Sequence, residues 1–119
     1  MAYKRVLLKL SGEALKENSD AILSADALQS MAEMVKKIHD AGVQVCIVIG
    51  AGNIWRGKIA KDAGMDQYEA DFMGMMGTVI NAVALGAKLK TLGVPSLIGL
   101  IPKSLLLIAA IMDLISFLS

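Results

Sequence analysis

Two short segments carry residues that can hold phosphate. Val6-Leu7-Leu8-Lys9-Leu10 runs into Ser11-Gly12, and Ile47-Val48-Ile49 runs into Gly50-Ala51-Gly52-Asn53. An apolar run that breaks into a glycine-bearing polar turn presents backbone N–H groups at the carboxyl edge of a parallel sheet, where they can donate to an anion. Two such turns point to a nucleotide site. Phosphoryl transfer makes little covalent demand on a protein: it needs two anionic groups in line and the charge on the transferred group neutralised. Donors and cations are therefore the residues to seek. Lys9, at the end of its strand and beside the Ser11-Gly12 turn, can set an ammonium against β- and γ-phosphates. The plain alternative is a strand-end lysine in solvent, and a lone G-x-G is most often only a turn.

These turns need elements to position them. Residues 4–10 and 45–49 read as strands, the second apolar enough to be covered on both faces, and both are expected to be central. Between them Ser24 caps a helix with Asp26 in its first turn. Leu28, Met31, Val35 and Ile38 form its apolar stripe, and Gly42 stops it, giving a βαβ unit. Segment 16–23 has no apolar period and reads as an exposed loop. A second long helix begins near Asp66, with Phe72, Met75, Met76, Val79 and Val83 on one face. Gly74 and Gly77 mark close packing, and Gly93 ends the helix. Val94-Pro95-Ser96-Leu97-Ile98 opens a third strand. In the tail 97–119 the formal charges are Lys103 and Asp113, and Leu105 to Met112 is uninterrupted apolar. A membrane span needs roughly 20 apolar residues, so a core helix or strand is expected there.

The 119 residues carry 12 basic and 11 acidic side chains for a net charge of +1, spread without a basic stripe for nucleic acid. Cys46 is the single cysteine, so no internal disulfide forms and a zinc site lacks thiolates. The N-terminus has too few apolar residues for a signal-peptide core, which makes the cytoplasm the default compartment. His39 reads as a surface residue near a helix C-terminus. Methionines 31, 34, 65, 73, 75 and 76 read as core or interface filling. No metal site is expected.

Lys9-Leu10-Ser11-Gly12-Glu13-Ala14-Leu15, Gly50-Ala51-Gly52-Asn53-Ile54-Trp55-Arg56-Gly57, Gly64-Met65-Asp66 and Asp71-Phe72-Met73-Gly74-Met75 together resemble the bacterial uridylate (UMP) kinases, of the amino-acid-kinase fold family. The resemblance covers about residues 3–95, the N-terminal part of a family member. It implies an α/β fold, a three-layer α/β/α sandwich with a largely parallel sheet, here truncated. Residues 1–96 would form the nucleotide-binding part, and 97–119 a divergent apolar tail. The reaction implied is ATP + UMP to ADP + UDP in pyrimidine nucleotide biosynthesis, with Mg2+ carried by ATP. Lys9, Leu10, Ser11, Gly12, Gly52 and Arg56 would contact ATP, with Lys9 catalytic. Ala51 and Asp71 would contact UMP, Asp71 through the ribose diol. A solvated helix-start acid is the alternative for Asp71.

Two departures accompany the resemblance. Ala51 stands where the family usually has glycine, and 17–22 replaces a glycine-rich segment used in GTP activation. The family further implies a homo-oligomer, similar to its homohexamers, with no membrane partner. Alternatives are another kinase of the same fold family (carbamate, glutamate or acetylglutamate) or a non-catalytic, self-associating module. Since the resemblance stops near residue 95, the 119 residues alone are expected to bind nucleotide weakly at most, to self-associate, and to show no turnover.

Overall fold

A computed structural model describes residues 3–16, 20–103 and 106–113, with side chains described through residue 98. Its elements are β1 (Arg5–Leu10), a single 3₁₀ turn (Gly12–Leu15), α1 (Ala25–Asp40) and β2 (Gln44–Ile49), followed by α2 (Gly57–Asp62), α3 (Gln67–Thr91), β3 (Ser96–Lys103) and β4 (Leu106–Asp113).

Local chemistry sets these boundaries. Ser24 caps α1 by accepting from the Ala27 N–H at 3.2 Å, and Gly42, at φ +87°, turns the chain into β2. Asp66 caps α3 by accepting from the Glu69 N–H at 2.8 Å, and Gly93 (φ +79°) follows its last turn. At the end of α1 the Asp40 carboxylate opposes the helix dipole. Lys36, bonded to it at 2.5 Å, and His39 hold its carboxyl below the ordinary range. That contribution is present above the unfolded carboxyl pKa and is lost as pH falls through the folded one.

β1 and β2 pair in parallel, Arg5 with Gln44 through Leu10 with Ile49, across the α1 crossover. The sheet order is β1-β2-β4-β3, so β2 is internal as expected, whereas β1 lies at an edge. β4 is the reason: it enters antiparallel beside Cys46–Val48, and β3 pairs with β4 from Ser96–Asp113 to Lys103–Leu106. The parallel βαβ unit is thus extended by an antiparallel hairpin, because strands joined by a short connection can only run antiparallel. Leu106–Asp113 is the strand, of the two forms open to that stretch, and residues 17–19 of the loop expected over 16–23 lie outside the described residues.

The core lies on one face of the sheet. Val45, Ile47 and Ile49 of β2 pack with Met31, Ala32 and Val35 of α1 and with Ala82, Leu85 and Leu89 of α3. Val6, Leu8 and Leu10 of β1 join from the same side. On the opposite face Leu7 is 62% exposed, so among the described residues the sandwich comprises one helix layer and the sheet. Cys46, on that second face, is still shielded enough that desolvation pushes its thiol upward.

α3 is apolar on more than one side, which changes the face read from its sequence. Met75 is buried and Val79 half-buried, whereas Phe72, Met76 and Val83 are exposed; the core face is Met75, Ala82, Leu85 and Leu89. By length and composition alone α3, at 25 residues, could cross a membrane, but its inner side is committed to the core. Leu85 is fully buried at the centre of this contact. Leu85→Ala is expected to destabilise the fold by about 2–5 kcal/mol, through lost transfer energy and a residual cavity, as read by urea unfolding.

Candidate functional site

Parallel pairing brings the ends of β1 and β2 side by side, and the two glycine turns follow them into one corner. The Gly50 N–H donates to the Leu10 carbonyl at 3.0 Å, which continues the ladder into the turns. Gly12 then lies so close to the second turn that a Cβ there would sit 2.5 Å from the Gly50 carbonyl oxygen and 2.7 Å from Asn53 Oδ1. No side chain fits at residue 12. Gly50 and Gly52 are not among the glycines with positive φ, which are Gly42, Gly64 and Gly93. The turn over 50–53 therefore does not use glycine for a left-handed backbone; a Cβ at Gly52 would stand 3.0 Å from Glu13 Cγ, whereas one at Gly50 would meet only ordinary contacts.

Two buried amides hold the corner. Asn81, fully buried on α3, donates through Nδ2 to Asn53 Oδ1 at 2.7 Å and to the Gly50 carbonyl at 2.8 Å. Asn53 Nδ2 donates back to Asn81 Oδ1 at 3.1 Å and to the Ile22 carbonyl at 2.9 Å. This reciprocal pair ties the second glycine turn to α3 and to the loop before α1. Asn81 is thus a packing residue of the corner. A buried partner 28 residues away has no local signature.

An open cleft of about 350 Å³ lies between the second turn and the start of α3. Ala51 and Gly52 line one side, Asp71, Gly74 and Thr78 the other, and Trp55 and Gln67 contribute as well. Trp55 is fixed by its indole N–H, which donates to the Ala70 carbonyl at 3.0 Å. Gly74 stands 3.7 Å, measured from its would-be Cβ, from Trp55 Cδ1. The Asp71 carboxylate is half-buried and accepts from Gln67 Nε2 at 2.8 Å. Thr78 turns its hydroxyl back onto the Gly74 carbonyl at 3.1 Å. The Ala51 methyl has a place of its own: a Cβ at Gly77 would stand 2.9 Å from it, so glycine on the helix makes room for alanine in the turn.

The structure brings some of the sequence-derived residues together and separates others. Ala51, Gly52 and Asp71 share the cleft, whereas Lys9, Leu10, Ser11, Gly12 and Arg56 do not line it. Ser11 accepts from the Glu13 N–H at 3.2 Å and starts the 3₁₀ turn. Leu10 directs its side chain to the core, which leaves its backbone to the turn. Lys9 is exposed on the sheet face away from the helices, in register with Val48. Arg56 is also exposed and forms an ion pair with Glu13, whose Cγ packs 3.0 Å from the would-be Cβ of Gly52. Glu13 was not singled out from sequence; its carboxylate bridges the two turns. Among the described residues no three His, Cys, Asp or Glu side chains converge as a metal site.

Residues 4–113 match the family model described as the amino acid kinase family. The uridylate kinase of Pediococcus pentosaceus is 48% identical over 94 residues, which are 79% of this chain and 39% of that protein. The crystal structure of UMP kinase from Ureaplasma parvum superimposes with a TM-score of 0.73 at 45% identity, over 79% of this chain and 40% of that one. Aspartate kinase from Synechocystis, at 16% identity and TM-score 0.62 over 78% of this chain and 16% of that one, shares the fold. The chain thus spans about two fifths of the length of the curated relatives it matches.

Removing the Asn81 amide orphans the buried Asn53 Oδ1 and takes the donor from the Gly50 carbonyl. Asn81→Ala is expected to destabilise the chain by roughly 3 kcal/mol. Hydrogen exchange should show the 50–53 turn losing protection beyond the global change, and equal protection there would mean that the pair does not anchor the turn.

Proposed function

We propose, because this chain belongs to the amino acid kinase family, that it forms part of a site transferring the γ-phosphoryl group of ATP to UMP. The observation that carries the reading is the cleft in which Asp71 faces the N–H-bearing turn at Ala51-Gly52. A carboxylate opposite a phosphate-holding turn suits a nucleoside monophosphate. Asp71 offers two acceptor oxygens to the ribose diol, and the turn offers donors to the phosphate. The 48% identity to a protein named uridylate kinase supports uridylate as that nucleotide.

ATP would then approach from the first turn. Backbone N–H groups over Lys9, Leu10, Ser11 and Gly12 and at Gly52 donate to its phosphates, and Lys9 sets an ammonium against the transferred group. Arg56 leaves Glu13 for phosphate, exchanging one charge-assisted pair for another. Since both partners of the existing pair are more than half exposed, that exchange has little to overcome. Transfer breaks the bond between the γ-phosphorus and the ADP oxygen and forms one to a phosphate oxygen of UMP. Lys9 and the turn donors offset charge on the moving group, which is the main demand of such a reaction. Magnesium enters bound to the ATP phosphates and supplies further charge neutralisation there; we assign none of this chain's residues to it.

Two substitutions separate the two nucleotides. Asp71→Asn preserves shape but loses the charge-assisted bonds to ribose, so UMP affinity by calorimetry should fall about tenfold with ATP affinity unchanged. Lys9→Ala should weaken ATP and spare UMP, with little change in folding stability, because an exposed strand-end charge contributes little. Equal weakening of both ligands by Asp71→Asn would show the wrong substrate to have been assigned.

A further inference from the structure

Gln67 and Asp71 stand one turn apart at the start of α3, and both line the cleft beside the second glycine turn. Gln67 Nε2 donates to Asp71 Oδ1 at 2.8 Å. A carboxylate only accepts, so this bond decides the orientation of the amide: its nitrogen is turned to Asp71, and its Oε1 is left as a second acceptor beside the carboxylate. Among the described residues neither side chain forms another hydrogen bond. As a helix brace such an i,i+4 pair contributes little. As two acceptors facing one cleft it has a definite chemistry, because adjacent hydroxyl groups are what two adjacent acceptors take.

The order of residues along α3 assigns one hydroxyl to each acceptor. The second glycine turn touches the helix at Gly77, where a would-be Cβ stands 2.9 Å from the Ala51 methyl, and Trp55 meets the helix at Gly74. From Gly77 the helix runs back through Gly74 and Asp71 to Gln67. Gln67 therefore lies farthest from the turn, about 6 Å along the axis beyond Asp71. In a nucleoside 5′-monophosphate the 3′-hydroxyl is on the ring carbon next to the one that bears the phosphate arm, and the 2′-hydroxyl is one carbon closer to the base. With the phosphate at Ala51-Gly52, the 3′-hydroxyl falls to Asp71 and the 2′-hydroxyl to the more distant Gln67.

We propose, resting on the reading that this cleft takes a uridine nucleotide with its ribose at Asp71, that Gln67 selects the ribonucleotide over the deoxyribonucleotide. Its Oε1 accepts from the 2′-hydroxyl while Asp71 Oδ2 accepts from the 3′-hydroxyl, and the bond between the two side chains holds the acceptors together before the nucleotide arrives. A 2′-deoxyribose leaves Oε1 without its donor. In a closed pocket that loss would reject the deoxynucleotide by several orders of magnitude, since the stranded carbonyl would find no substitute. Here the cleft is open and Gln67 is exposed, so water takes the missing place and the preference is about tenfold.

Calorimetric titration of the 119-residue chain with UMP and with 2′-deoxy-UMP tests this. The parent chain should bind UMP about tenfold more tightly than 2′-deoxy-UMP. Gln67→Met keeps an unbranched side chain of similar length at an exposed helical position, so the circular dichroism spectrum should stay unchanged. In that variant UMP affinity should fall about five- to tenfold and 2′-deoxy-UMP affinity should hold, which shrinks the preference to about twofold or less. A mere brace for Asp71 would not give this pattern, because its loss would weaken both nucleotides alike. Equal affinity of the parent for the two nucleotides would overturn the proposal while leaving uridylate binding intact. So would a Gln67→Met chain that keeps the preference or weakens both nucleotides equally. A parent that binds neither nucleotide would overturn the proposal together with the uridylate reading.

Discussion

The structure turns on the exchange of hydrogen bonds between Asn53 and Asn81. Two amides sit where water does not reach, and each uses its donor twice: once on the other amide and once on a backbone carbonyl. A buried amide left unpaired costs a few kcal/mol, so the arrangement tolerates little displacement of either partner. The second glycine turn, the loop before α1 and the middle of α3 are therefore held in a fixed relation that apolar packing alone would leave adjustable. The cleft beside Asp71 inherits its shape from that relation, since one wall is the turn and the other is the helix.

Around this pair the fold divides its tasks between close approach and burial. Gly12 lets the two turns touch, and the Leu10 carbonyl takes the Gly50 N–H, so the loops continue the order of the strands beneath them. Beneath the turns, the apolar contact of α1 and α3 with the alternate residues Val45, Ile47 and Ile49 supplies the rigidity that a binding site needs. Glu13 and Arg56, at the surface, are the exposed part of the same corner. Their ion pair is solvated and easily exchanged, while the amides below it are not.

Much of this was legible in the chain. The caps at Ser24 and Asp66 and the stop glycines at 42 and 93 act through local hydrogen bonds and backbone angles, so their residue types announce them. The parallel pairing of β1 and β2 follows from a helix of crossover length between two apolar runs. What escaped was non-local. The orientation of α3 was ambiguous because Phe72, Met76 and Val83 are as apolar as the residues that enter the core. The edge position of β1 depends on where β4 pairs, more than fifty residues further along the chain. Within the candidate site, Gly12, Gly52 and Asp71 stood out by composition and motif, whereas Glu13 and the Asn53–Asn81 pair gain meaning only from neighbours brought close by folding.

The contact of Ala51 with Gly77 has a consequence for which sequences this fold accepts. The space between turn and helix holds one methyl group, and it does not matter to the packing which of the two backbones carries it. Positions 51 and 77 are thus a single steric unit: alanine with glycine or glycine with alanine fills it, two alanines collide, and two glycines leave a void. A change at either position is to be judged only together with its counterpart. The methyl at Ala51 is admitted because Gly77, on the helix wall, carries none.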